Sequence, residues 1–110
     1  MGHQSVAEFL LNKGANVDAV TDFNNTPLHY AAMNGHKNVA EVLLNKGASI
    51  DITNHFSNTP LHNAAMNGQK NVAKLLIEKG AEVYFVNNEN QTPRQLAVNN
   101  GHRDTARLFG

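Results

Sequence analysis

The chain has 110 residues, enough for one small domain, and its 9 Lys and Arg balance 9 Asp and Glu. That balance argues against the one-sided basic excess of a nucleic-acid binder and against a polybasic patch for anionic lipid. Cysteine is absent, which removes disulfides, thiolate nucleophiles and zinc–thiolate sites, and no apolar run suits a signal peptide or a bilayer span.

Internal repetition organises everything else. Thr26-Pro27-Leu28-His29 recurs as Thr59-Pro60-Leu61-His62 and, weakened, as Thr92-Pro93-Arg94-Gln95, a step of 33 residues. Gly14, Gly47 and Gly80 keep the step, as do Gly2, Gly35, Gly68 and Gly101. Leu10, Leu43, Leu76 and Phe109 form one apolar register, and Val6, Val39 and Val72 another.

In chain order, residues 1–17 read as a partial repeat. Gly2-His3 is in phase with Gly35-His36, and Gln4 to Lys13 supply a second helix without a first, so the natural protein is expected to continue upstream. The first full repeat spans about 18–50. Thr26 is an N-cap, Pro27 opens the helix without losing a needed N–H, and Asn34-Gly35 ends it. A second helix runs from about Asn38 to Asn45, with Val39, Val42, Leu43 and Leu44 at helical spacing, and Lys46-Gly47 closes it. Ala48 through Asn58 lacks a long period and reads as a hairpin-like connection. Residues 51–83 repeat this plan, and 84–110 form a truncated unit. There Arg94, Gln95 and Thr105 replace Leu, His and Val, the pattern of an end face turned to water or, alternatively, of a degenerate internal unit. Asn24, Ser57 and Asn90, two residues before each Thr-Pro, stand where a glycine would be usual and a left-handed conformation is needed, with Ser57 the least suited. Helices this short are marginal alone, so neighbouring units must stack into one continuous core.

The period and the Thr-Pro-Leu-His-x-Ala motif resemble those of ankyrin repeats. The resemblance rests on Thr26 to Ala32, Thr59 to Ala65, Gly35-His36 and Leu43 to Ala48, and it covers essentially the whole chain. It implies an all-α solenoid of stacked helix-turn-helix units joined by hairpin-like loops. It also implies that His29 and His62 bond to the capping Thr and to the backbone of the adjacent loop, as structural pins.

No reactive constellation emerges. His3, His36 and His102 follow the interhelical glycine and are expected to cap or orient that turn. His55 lies in a hairpin and reads either as a solvated loop residue or as one free for recognition. No i, i+4 histidine pair with a nearby Glu suits a helical zinc site, and no phosphate-cradling glycine loop exists. Ser5, Ser49 and Ser57 lack a nucleophile elbow, while Glu8, Glu41 and Glu78 read as a solvated helical face. The expectation is therefore no catalytic residue, no metal, no cofactor and no small-molecule substrate.

The resemblance implies protein binding through a concave face of hairpin tips and first helices. Carried onto this chain, that face comprises Asp22, Phe23, Asn25, Met33 and Asn34 in the first full unit. The second contributes His55, Phe56, Asn58, Met66 and Asn67, and the third Asn88, Glu89, Gln91, Asn99 and Asn100. Phe23 and Phe56 share a register with Glu89, and Met33 and Met66 accompany them. They read either as an apolar stripe for an extended or helical segment, or as rings folded onto neighbouring hairpins. Tyr84, where Asp18 and Asp51 stand in earlier units, either packs at the chain's capping end or extends the surface. The expected partner is a protein, with no nucleic acid and no membrane, and the chain is a monomer or part of a longer array. The competing reading is a regulatory or intramolecular array of a larger enzyme, channel or secreted effector. The expected compartment is the cytoplasm, or a host cytosol, a setting with which the abundant Asn and Lys are compatible.

Overall fold

A computed structural model of the chain describes residues 22–109. The expected partial repeat 1–17, with its Gly2, His3, Val6, Leu10 and Gly14 registers, lies outside them. Three helices begin by one device. Thr26, Thr59 and Thr92 are extended, and each hydroxyl accepts from the backbone N–H three residues on. The side chain at that third position, His29, His62 or Gln95, accepts in return from the Thr N–H. A reciprocal cap therefore starts α1 (Pro27–Asn34), α3 (Pro60–Met66) and α5 (Pro93–Asn99), with Pro at the first position. Each is followed by an antiparallel second helix: α2 (Lys37–Asn45), α4 (Lys70–Glu78) and the short α6 (Arg103–Ala106). Turns of 3-10 type occupy Asp22–Asn24 and Arg107–Phe109. Strands are absent among the described residues.

The helix ends follow from glycine. The N–H of His36, Gln69 and His102 reaches back to the carbonyl of Ala31, Ala64 and Ala97, a closure that places the intervening Gly35, Gly68 and Gly101 at positive φ. Space matters there too. A Cβ on Gly35 would meet the Gln69 amide, and one on Gly68 would lie 2.5 Å from His102 Nδ1. The side chains after the glycine thus lean onto the preceding repeat, and no side-chain bond caps a helix at His36, Gln69 or His102. The capping half of the histidine expectation is corrected accordingly.

Gly47 and Gly80, at φ 95° and 97°, end the second helices, with the Ala48 and Ala81 amides bonded to the Leu43 and Leu76 carbonyls. Nothing would touch a Cβ on Gly47. Gly47→Val therefore tests conformation alone: we expect a loss of about 1–3 kcal/mol, read as a lower denaturant midpoint. An unchanged midpoint would contradict the left-handed turn.

First helices stack on first helices, α1 on α3 on α5, and second helices on second helices. Leu28, Val39, Leu43, Leu61, Val72, Leu75 and Leu76 are buried between them, with alanines setting the close approach. Polar residues are buried in this stack too. Thr105 is buried, because its position in α6 turns inward, and so it is not part of a wet end face; Arg94 and Gln95 are exposed. Asn63 is 2% exposed in the middle of the stack, and its Nδ2 finds no acceptor among the described residues. The same register in α5 holds Leu96, also buried. An unmet buried donor costs about 1–3 kcal/mol, so Asn63→Leu should raise the denaturation midpoint. A lower midpoint would show that the amide is bonded.

Candidate functional site

The hairpins that carry the candidate surface are built around asparagines. Asn54 Oδ1 accepts from the N–H of Phe56 and of Asn58, at 2.9 and 3.0 Å, while its N–H donates to the Asn58 carbonyl. Asn87 does the same for Glu89 and Gln91. The turn this imposes puts Ser57 and Asn90 at φ 60° and 63°, as their register predicts. The Ser57 hydroxyl, the least suited occupant, donates to Asn88 Oδ1 at 2.7 Å. Each hairpin is then tied to its neighbour. The Asn54 and Asn87 amides donate to Oδ1 of Asn25 and Asn58, and the N–H groups of His55 and Asn88 donate to the carbonyls of Phe23 and Phe56.

His29 and His62 lock first helices to the following hairpin. Nδ1 of His29 accepts from the Thr26 N–H, so the proton sits on Nε2, which donates to the Asn58 carbonyl at 2.8 Å. His62 repeats this with Thr59 and with the Gln91 carbonyl at 3.0 Å. Burial lowers both pKa values below the ordinary histidine range, against the opposing pull of the carbonyl each ring donates to; His29 is lowered further by the charge His62 would carry. These are neutral structural imidazoles. Among the described residues no group of three His, Asp or Glu side chains is placed to hold a metal ion.

Outside this framework stand the rings. Phe23 is 61% and Phe56 48% exposed, yet they stack on each other at a centroid distance of 5.7 Å and 29°. His55 meets the Phe56 ring edge-on at 5.6 Å and Phe23 at 6.4 Å. The rings lie against each other, as the folded-onto-neighbours reading expects, and remain largely exposed to solvent. Phe23 carries φ 66°, an unfavourable conformation for a bulky residue, at the turn that presents its ring. Tyr84 is 77% exposed, so it does not pack at the chain's end, while Phe85 stands edge-on to His62 at 6.3 Å.

The family model described as ankyrin repeats (many copies) matches residues 1–44, and that described as ankyrin repeats (3 copies) matches residues 46–109. The chain belongs to the ankyrin-repeat family. Ankyrin repeats are generally protein–protein interaction modules and are typically non-catalytic. No curated protein matches the chain significantly. Among the described residues no helix is long and apolar enough to cross a membrane.

The ankyrin framework sorts the fifteen surface positions. Asn25 and Asn58 are corrected: both are buried, their Oδ1 atoms used by the asparagine ladder. Gln91 is half-buried and bonded to Asn87 through its side chain, and to Asn87 and His62 through its carbonyl. Met33 and Met66 are half-buried. Asn34, Asn67 and Asn100 are exposed at helix ends, each donating to a carbonyl, of Tyr30, Met33 and Leu96 respectively. Asn99 and Glu89 are exposed, and Asn88 is exposed while bracing the His55 carbonyl. Asp22 opens the first 3-10 turn. The side chains of Phe23, His55, Phe56, Glu89 and Asn99 are exposed and make no hydrogen bond among the described residues, although the backbones of the first four serve the hairpins. Sequence reading missed Asn54 and Asn87. Their signal was available, since they too are 33 residues apart.

Proposed function

We propose that this chain is a non-catalytic module that binds a protein through its hairpin tips and the adjoining first-helix face. The observation that carries the reading is the stacked, solvent-exposed Phe23–Phe56 ring pair, held in place by hydrogen bonds of the backbone and of Asn54 that leave the rings themselves unengaged. Exposed aromatic anchors on a preorganised surface are what interface hot spots are made of, and half-buried Met33 and Met66 add adaptable apolar contact. A reducing cytosol, the cell's own or a host's, suits a chain without cysteine.

Affinity capture from lysate tests the reading. The parent chain is compared with Phe23→Ala/Phe56→Ala, and with the same pair carrying Met33→Ala and Met66→Ala, each first shown to be folded by circular dichroism. We expect proteins held by the parent to be lost from the double variant. Equal capture by all three would move the binding surface elsewhere, and capture by none would favour an intramolecular role within a larger protein.

A further inference from the structure

The neutral net charge conceals a segregation. The turn at 22–25 and the connections 48–58 and 81–91 hold Asp22, Asp51, Glu82 and Glu89 and not one Lys or Arg. Lys37, Lys46, Lys70, Lys74 and Lys79 all lie on α2 and α4 or at their C-caps, against two acids, Glu41 and Glu78. The hairpin side is therefore acidic and the second-helix side basic. On the acidic side the row of equivalent positions runs Phe23, Phe56, Glu89. The bond from the Asn88 N–H to the Phe56 carbonyl, 3.0 Å, sets the Glu89 hairpin directly beside the Phe56 hairpin. Glu89 is exposed, and its carboxylate has no ion-pair partner among the described residues, where the only salt bridge joins Asp104 to Arg107.

We propose that this row receives an arginine side chain from the protein partner, its guanidinium stacked on the exposed phenylalanine pair and its N–H fork paired with Glu89. The proposal rests on the protein-binding reading above and names the chemistry of the partner. An aromatic face attracts a cation through the ring quadrupole. A planar guanidinium can lie on such a face and still present donors at its edge, which a lysine ammonium cannot do as well. The hairpin connections contribute no Lys or Arg to repel the guest, exposed Arg94 lying beyond them at the start of α5, and their acids steer a basic segment toward the row. His55 packs against the aromatic pair and Glu89 lies next along the row, so the surface has distinct ends.

The test uses the full chain and a blocked peptide of alternating glycine and arginine, with matched lysine and citrulline peptides, followed by NMR. The arginine peptide should move the ring resonances of Phe23 and Phe56. The lysine peptide should move them less, and the citrulline peptide, equal in shape but uncharged, should leave them in place. Glu89→Gln, whose carboxylate makes no bond within the turn, should weaken arginine binding about two- to fivefold, the range of an exposed charge pair, without moving the thermal midpoint. Ring resonances that ignore the arginine peptide, or respond equally to citrulline, would overturn the proposal, as would an unchanged affinity in Glu89→Gln. If lysate capture depends on the phenylalanines while the arginine peptide moves nothing, the protein-binding surface stands and the arginine assignment falls. If capture is indifferent to the phenylalanines, the surface itself has been misplaced.

Discussion

Leu76→Ala is expected to cost the chain about 2–5 kcal/mol, and Leu43→Ala a similar amount. Both side chains are essentially inaccessible, 0% and 1% exposed, within one continuous apolar cluster. Much of that cluster is alanine: Ala31, Ala40, Ala64 and Ala73 have nothing to extend into a void. The first helices are pinned by a Thr cap and a glycine closure, and α2 and α4 by the closures at Gly47 and Gly80, which limits collapse around the missing atoms. A domain of this length is stabilised by only about 5–15 kcal/mol in total, so one such cavity removes a large share. Urea titration should show a lowered midpoint with little change in slope. A loss smaller than about 1 kcal/mol would mean that the core face has been misassigned.

Acid should weaken the same stack through His29 and His62. Each ring must be neutral at Nδ1 to accept the Thr N–H; a proton there sets donor against donor and breaks the cap. Burial adds to this, so the folded pKa of both lies below the unfolded value of about 6.5. The sign follows from proton uptake. Between the unfolded and the folded pKa the unfolded chain binds more protons, so stability is complete above about pH 6.5 and declines as pH falls toward the folded values. Each histidine contributes a slope of at most about 1.4 kcal/mol per pH unit in that window. His62→Gln separates the causes. Gln95 already shows that a glutamine amide accepts the cap bond, at 2.8 Å from the Thr92 N–H. The variant should keep its helix start, lose the bond to the Gln91 carbonyl, and show a shallower decline between pH 7.5 and 5. An identical pH profile would assign the acid sensitivity to other groups.

Where a residue's role was decided by neighbours in sequence, the sequence revealed it. Thr-Pro starts, glycine stops and the Leu43–Leu76 register depend on contacts within a turn or one repeat, and the 33-residue period repeats each signal. The left-handed Ser57 and Asn90 were legible for the same reason. Asn25 and Asn58 were not. An asparagine in a loop is ordinarily a surface residue, and these two are buried by amides 29 positions further along the chain. Thr105 misled in the opposite sense, since a hydroxyl at an apolar register suggests solvent although the backbone turns it inward. The stacked pose of Phe23 and Phe56 depended on hairpin spacing, which composition does not encode.

The asparagine and histidine ties described above join only adjacent units, and none among them reaches past its immediate neighbour. Tension applied along the stack is therefore carried in series, each interface bearing the whole load. Nearest-neighbour coupling of this kind yields at its weakest joint and leaves the remaining units standing. Mechanically the described repeats form a row of clasps, each fastened only to the next.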